Sequence, residues 1–289
     1  MINYSIPGVY AHHKLNFKLL GLMKDHPEYF YPNVKVEACY GTFPFCVFDG
    51  GRVFSQAMHA TVEEVKSITK TYNDFGVPIR LVYTNSQLKP EHYTNRWGNL
   101  VLEICENNFN QIVVADDDFL GYIKEKYPNY IFISSTTKCL NKEAFLNELK
   151  NKDFYEVCLD YNLNKNKKLL EEIPLENRDK CEFLCNAICP PGCPTRKLHY
   201  KLNSLYHLQY GRNYNVPYCG INNNILSPQA KNYSNNMSYQ DILTYYEPMG
   251  FSHFKLEGRT MPANTQACIY VDYMVKDEYK SLVTSILTI

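Results

Sequence analysis

The sequence has no surplus of either charge: thirty lysines and arginines face thirty aspartates and glutamates across 289 residues. A chain so balanced has no global field to attract nucleic acid or an anionic membrane, which argues against strong non-specific nucleic-acid binding. A local patch or a small structured RNA partner stays open. Long apolar runs are also missing. No stretch of eighteen apolar residues occurs, so neither a transmembrane helix nor a membrane partner is expected. The opening MINYSIPGVYAHHKLNFKLL lacks the positive-then-apolar order of a signal peptide. A cytoplasmic location is the expectation, and thiols stay reduced there. Neither GxGxxG nor GxxxxGK followed by Ser or Thr is present, which lowers the nucleotide-binding open sheets. No Pro/Ser linker, low-complexity tract or repeat divides the chain, so one domain over residues 1–289 is expected.

What is present is a rhythm. VKVEACYG (34–41), VPIRLVYTN (77–85), QIVVAD (111–116), YIFISS (130–135), FYEVCLD (154–160), KCEFLCN (180–186) and FSHFKLEG (251–258) read as strands rich in Val, Ile, Phe and Tyr. Helices with caps lie between them. Thr61 and Glu64 have capping-box spacing in TVEEVKSITKTY, Ser238 and Asp241 repeat it, and Asn141 caps NKEAFLNELKNK. Strand and helix alternating in this way is the signature of parallel βαβ units, and a TIM-like (β/α)8 barrel is the natural closure. An open doubly wound sheet is the alternative. The eighth strand comes either from NYSIPGV near the N-terminus or from QACIYVDYMV.

Cysteine is the unusual residue. There are eleven, an odd number that argues against a complete disulfide framework. Cys105 and Cys158 read as small core residues. CEFLCNAICPPGCPTRKLHY (181–200) is different, with Cys181, Cys185, Cys189 and Cys193 at even steps and Cys-Pro occurring twice. As a strand, 181–185 would put Cys181, Phe183 and Cys185 on one face and Glu182 and Leu184 on the other. The Pro-Pro-Gly that follows must leave regular structure, so Cys189 and Cys193 straddle a loop at a strand end. Thiolates so spaced can converge on a zinc ion or an iron–sulfur cluster. The candidate ligands are Cys185, Cys189, Cys193 and Cys219, with Cys181 or His199 as substitutes. The cysteine-rich loop would span 181–219.

In a barrel, function collects where strands end. HFKLEGRTMP (253–262) closes a strand on Glu257, Gly258 and Arg259. Arg259 offers a planar fork for a carboxylate or phosphate, and Glu257 would orient it or take a proton. The competing reading is a salt bridge closing the barrel. Gly50-Gly51-Arg52 reads as a solvated turn, Asp116 to Asp118 as the acidic cap of a helix, and His12-His13 as exposed.

FKLEGR resembles the FKIEGR element of the collagenase-like peptidase U-32 family. NQIVVADDDFLGYIKEKYPNYIFISST is similar to that family's valine-rich strand, turn, helix and next strand. CEFLCNAIC aligns with its Glu-x-Phe-x-His-Gly-x-x-Cys signature. Phe183 and Cys189 match there, while Cys181, Cys185 and Asn186 stand in place of Glu, His and Gly. The resemblance runs from about residue 34 to 262. It implies a TIM-like barrel and two activities. One is peptidase action, whose signature Glu and His this chain lacks. The other belongs to members that hold a four-iron four-sulfur cluster and take part in oxygen-independent hydroxylation of RNA bases or a quinone precursor; the partners it suggests are a small-molecule or RNA substrate and a redox or family-related protein. Cys39 or Cys46 are further candidates to reach such a cluster.

Overall fold

The structure, a computed structural model, describes residues 1–53, 58–209 and 233–288. Eight parallel strands close into a barrel in chain order. They are β1 (Ile2–Pro7), β2 (Val34–Gly41), β3 (Ile79–Tyr83), β4 (Gln111–Val114), β5 (Ile131–Ser134), β6 (Phe154–Cys158), β7 (Cys181–Leu184) and β8 (His253–Lys255). Around them lie α1 (His13–Asp25), α2 (Val62–Asp74), α3 (Arg96–Cys105), α4 (Asp117–Lys126), α5 (Lys142–Glu148), α6 (Lys167–Glu172) and α7 (Leu175–Arg178). The ring is completed by α8 (Arg196–Leu208), α9 (Tyr239–Asp241), α10 (Ala263–Met274) and α11 (Lys280–Thr288).

Closure falls to the N-terminal candidate. β1 pairs with β2 on one side and β8 on the other, both parallel. QACIYVDYMV instead lies within α10, because Ala267, Tyr270, Val271 and Met274 bury one face at helical spacing and Pro262 opens the helix. The caps form as the sequence indicates: Thr61 with Glu64, Ser238 with Asp241, Asn141 on Ala144, and Asp116 on Phe119.

Alternation along each strand separates two cores. Outward residues such as Ile2, Tyr4, Ile6, Leu81, Ile112, Phe132, Phe183 and Phe254 pack with the helices. Inside, Tyr40, Val82, Val113 and Ile133 make an apolar layer from β2 to β5. The opposite half of the interior is charged. Arg80, fully buried, donates to Glu156 (2.9 and 3.0 Å), Glu182 (2.6 Å), Gln111 (2.6 Å) and Ser5 (3.1 Å). Lys255 donates to the second oxygen of Glu182 at 3.0 Å and lies 4.4 Å from the Tyr40 ring centre. Each buried carboxylate therefore has a guanidinium or ammonium partner, the condition for keeping charge in a dry interior.

Removing Arg80 strands two carboxylates, so Arg80→Met should lower stability by about 3–5 kcal/mol in urea unfolding. A loss below about 1 kcal/mol would mean that the interior network carries no load. Burial pushes the Glu182 carboxyl up, but Lys255 and Arg80 outweigh it and hold it at about 2, against 4.5 for a free glutamate. A depressed acid stabilises above its unfolded value and loses that contribution as pH falls through the folded one. Thermal midpoints should therefore drop between about pH 4.5 and 2, and a Glu182→Gln variant, less stable at neutral pH, should show a flatter acid limb.

Candidate active site at the C-terminal face of the barrel

Three segments meet at the strand C-termini: Asp49 to Arg52 after β2, Glu257 to Arg259 after β8, and α8. They are tied by two ion pairs in a crossed arrangement. Arg259 donates to both oxygens of Asp49, at 2.9 and 3.4 Å, and is itself buried. Arg52 pairs with Glu257. Glu257 therefore does not orient Arg259, as the sequence had implied. Each charged residue of the EGR element takes its ion-pair partner from the DGGR segment, because closure of β1 against both β2 and β8 puts those two loops side by side.

The same contacts correct the reading of Gly50-Gly51-Arg52 as a solvated turn. Gly51 accepts through its carbonyl from Asn203 (3.3 Å), and its amide donates to Asp49 (3.0 Å). His207 Nε2 donates to the carbonyl of Arg52 at 2.7 Å. A Cβ on Gly51 would stand 2.8 Å from Arg259 Nη2, and one on Gly50 would stand 2.6 Å from the Thr84 carbonyl. Two glycines in a row let the guanidinium and the β3 strand end approach this closely.

Glu257 is the more accessible acid, its side chain 14% exposed against none of Asp49's. It also accepts from the Ile188 amide at 2.9 Å, while its own amide donates to Asn186 at 2.6 Å. Asn186, in the loop after β7, thus holds the end of β8 in place. A second buried cation, Arg196 at the start of α8, donates to Asp160 (2.5 Å) and to Thr136 (3.1 and 3.2 Å), with its guanidinium 4.1 Å from the Tyr161 ring centre. Burial pulls its pKa down, yet Tyr200 and Asp160 hold it above the ordinary arginine range.

His12, expected at the surface, is buried at the end of β1, where Nε2 donates to the Gly258 carbonyl at 3.0 Å. Burial lowers its pKa, so the ring is held neutral with Nδ1 unpaired. Gly8, at φ +94°, leaves the ring its space, since a Cβ there would come within 2.5 Å of His12 Cδ2. Asp49, Arg196 and His12 carried no motif. Their only signal was position in the segments that follow β1, β2 and β7.

The thiols separate into two groups. Cys185 extends β7 by one residue, its amide donating to Lys255 at 2.9 Å. Alternation turns its side chain outward with Cys181 and Phe183, and it is fully buried in the layer shared with Tyr4, Tyr246 and Tyr273. Burial first, and Glu182 second, hold that thiol well above the ordinary range. Cys185 is thus corrected from ligand to core residue, because parity along β7 points it away from the strand-end face. Cys181 and Cys39 also face outward, and Cys46 is buried in the loop after β2; burial pushes Cys39 up to about 12 and Cys46 to about 11. Cys158 faces inward beside Glu182 and Lys255 and is buried, as a small core residue should be.

Cys189 and Cys193 do sit in the loop between β7 and α8, both half-buried. Cys189 packs on Tyr161, Leu184 and Ala187. Cys193 Sγ is 3.5 Å from Thr195 Oγ1, and Gly192 makes the turn before it at φ +67°. Cys139, half-buried in the loop after β5, has Arg196, Asp160 and the Cys189 thiol nearby. His199 lies on α8. Cys219 falls outside the described residues. Cys185, Cys189 and Cys193 do not all lie within 4.8 Å of one another, so this conformation does not gather them round one ion. A cubane, whose irons occupy separate corners, does not need such convergence.

A solved structure shares this architecture: "The Structure of the U32 Peptidase Mk0906". The chain is folded like that peptidase. The TM-score is 0.53 over 91% of this chain and 94% of the other, at 14% identity, a likeness of fold. No family model matches the sequence. No curated protein matches it either.

The two glycines give a paired test. Gly50→Ala meets backbone at Thr84 and Asn85 and should cost about 2 kcal/mol or more of stability. Gly51→Ala meets only the Nη2 end of the Arg259 side chain, which can shift slightly while Nη1 keeps its bond to Asp49, and should cost less. Thermal melts of the two variants would reverse this order if the Arg259–Asp49 pair were rigid.

Proposed function

We propose that this barrel is an enzyme whose C-terminal face holds a thiolate-bound metal centre beside the Arg52–Glu257 pair. The observation carrying the reading is the placement of Cys189 and Cys193, half-exposed thiols on the loop after β7, at the same face as both crossed ion pairs. Cys219 is a further ligand in this reading, and Cys139 is the described thiol best placed to stand where Cys185 was expected. Family resemblance favours a four-iron four-sulfur cluster over zinc, and oxygen-independent hydroxylation or another modification of an RNA base or small molecule as the reaction. When bound, a cluster of this kind supplies electrons or an open iron site, and a redox protein would be its partner.

The chain's own residues bind and orient. The Arg52–Glu257 pair presents the accessible charge, so a polar substrate group enters by exchanging with one member of it. The buried Arg259–Asp49 and Arg196–Asp160 pairs keep the loops that carry these groups in register. Among the described residues, no helix is long and apolar enough to cross a membrane.

A second reading, a peptidase, is favoured by the fold of the U32 structure. Glu257 would then be the acid or base.

Anaerobic purification followed by iron, sulfide and zinc analysis tests the first reading. Brown protein is expected, with about four irons and four sulfides per chain. Cys189→Ser with Cys193→Ser should remove the iron, whereas Cys185→Ser should keep it and cost about 1–3 kcal/mol of stability by burying a hydroxyl in an apolar layer. Protein that takes up no iron on reconstitution, yet cleaves peptides after chelation, would overturn the cluster in favour of the peptidase.

A further inference from the structure

The opposite, N-terminal end of the barrel carries a second constellation that the proposed reaction does not use. His253 opens β8 and faces inward. Its Nδ1 lies 2.5 Å from Glu37 Oε2 and 3.6 Å from Glu156 Oε1. Among the described residues, these three form the group of potential metal ligands whose donor atoms all lie within 4.8 Å of one another. Ligand atoms round a tetrahedral zinc stand about 3.3 Å apart, given bonds of about 2.0 Å, so small side-chain shifts suffice.

Four further features converge there. The other ring nitrogen, Nε2, lies 3.3 Å from Asp179 Oδ1, the outer carboxylate that commonly fixes a metal-binding histidine. Ser5 donates to Glu37 Oε1 at 3.0 Å, the oxygen turned away from His253, and Arg80 donates to both oxygens of Glu156, so each carboxylate is fixed in place and Glu156 Oε1 would be shared between Arg80 and the ion. The register of the sheet slips at Glu37 in β2 and at Tyr155 in β6, beside Glu156, and bulges of this kind re-aim side chains. Finally Asn3, directly across the β1–β8 ladder from His253, is 8% exposed, faces inward by alternation with Tyr4, and has a buried Oδ1 with no hydrogen-bond partner. Such an orphaned oxygen is costly unless something occupies the space before it.

Charge is compatible with a cation here. The buried or nearly buried carboxylates Glu37, Glu156 and Glu182 outnumber the permanent buried cations Arg80 and Lys255 by one, while Asp179 and Lys35 are exposed to solvent. A bound cation would offset that excess.

We propose that the N-terminal end of the barrel is a binding site for a divalent transition metal of the zinc class. Glu37, Glu156 and His253 are its ligands, Asn3 supplies a further oxygen, and Asp179 is the positioning residue on the histidine. Imidazole with carboxylates suits zinc better than calcium or magnesium, which take oxygen alone. Position at the N-terminal face makes the role structural, since catalysis in these barrels occupies the other end. The ion ties β2, β6 and β8 together across the interior. A hollow of ≈ 550 Å³ lined in part by Tyr155, Asp179 and Lys180 opens at the same end and gives it an approach.

Equilibrium dialysis of the chelator-treated full chain against zinc ions tests this, with the bound metal counted per chain. A Cys189→Ser, Cys193→Ser background removes the loop thiols from the count. That background should retain one zinc per chain, and adding His253→Ala should abolish it. Asp179→Asn alters a side chain that is 78% exposed and keeps an acceptor oxygen for Ser252, so it should spare folding; it should weaken binding about 10- to 100-fold. Cobalt(II) bound in the same background should lack the near-ultraviolet band of thiolate ligation. No zinc in that background, a cobalt–thiolate band, or unchanged affinity in Asp179→Asn would each overturn the site.

Discussion

Everything in this barrel leans on one buried guanidinium. Arg80 reaches from β3 across the interior to carboxylates on β6 and β7 and to a hydroxyl on β1. A barrel core is usually filled by layers of branched apolar side chains, which pack without caring which neighbour they meet. Half of this interior obeys that rule. The other half is a set of charges that are tolerable only if each finds its partner, and removing one leaves another stranded. Partner choice therefore fixes the register of β3, β6, β7 and β8 more tightly than packing alone does.

The same logic is repeated at the C-terminal face. Asp49 with Arg259, Glu257 with Arg52 and Asp160 with Arg196 each join loops that are distant in sequence. Two of the pairs are nearly closed to solvent, and the Arg52–Glu257 pair is more open. That contrast separates groups that hold the loops from groups a substrate can reach. It also explains why the buried arginines are poor candidates for binding an anion: an anion would have to displace Asp49, held by two hydrogen bonds from Arg259, or Asp160 from Arg196, whose guanidinium also lies over the Tyr161 ring.

Much of the fold was legible because its signals are local. Seven strands and the caps at Thr61, Asp116, Asn141 and Ser238 follow from alternation, composition and short-range hydrogen bonding. The site was less legible. Glu257 does lie just past the end of a strand, but its partner is Arg52 rather than its sequence neighbour Arg259. Cys185 was grouped with Cys189 and Cys193 by spacing, although one residue of strand parity puts its thiol on the far side of the wall. The strands do carry a usable clue: Arg80, Glu156, Glu182 and Lys255 are charges inside buried strands, and such charges must face each other.

By itself the sequence determined the alternation of strand and helix, the number of strands available, and which side chain shares a face with which along any one strand. Those properties depend on repeat distances of a few residues. Tertiary structure alone decided that Ile2–Pro7 rather than QACIYVDYMV closes the barrel, that DGGR meets EGR in crossed pairs, and that Glu37, Glu156 and His253 converge at one end. Each depends on which strands become neighbours and on the two slips in register, and neither is set until the sheet closes and every buried charge has found its counterpart.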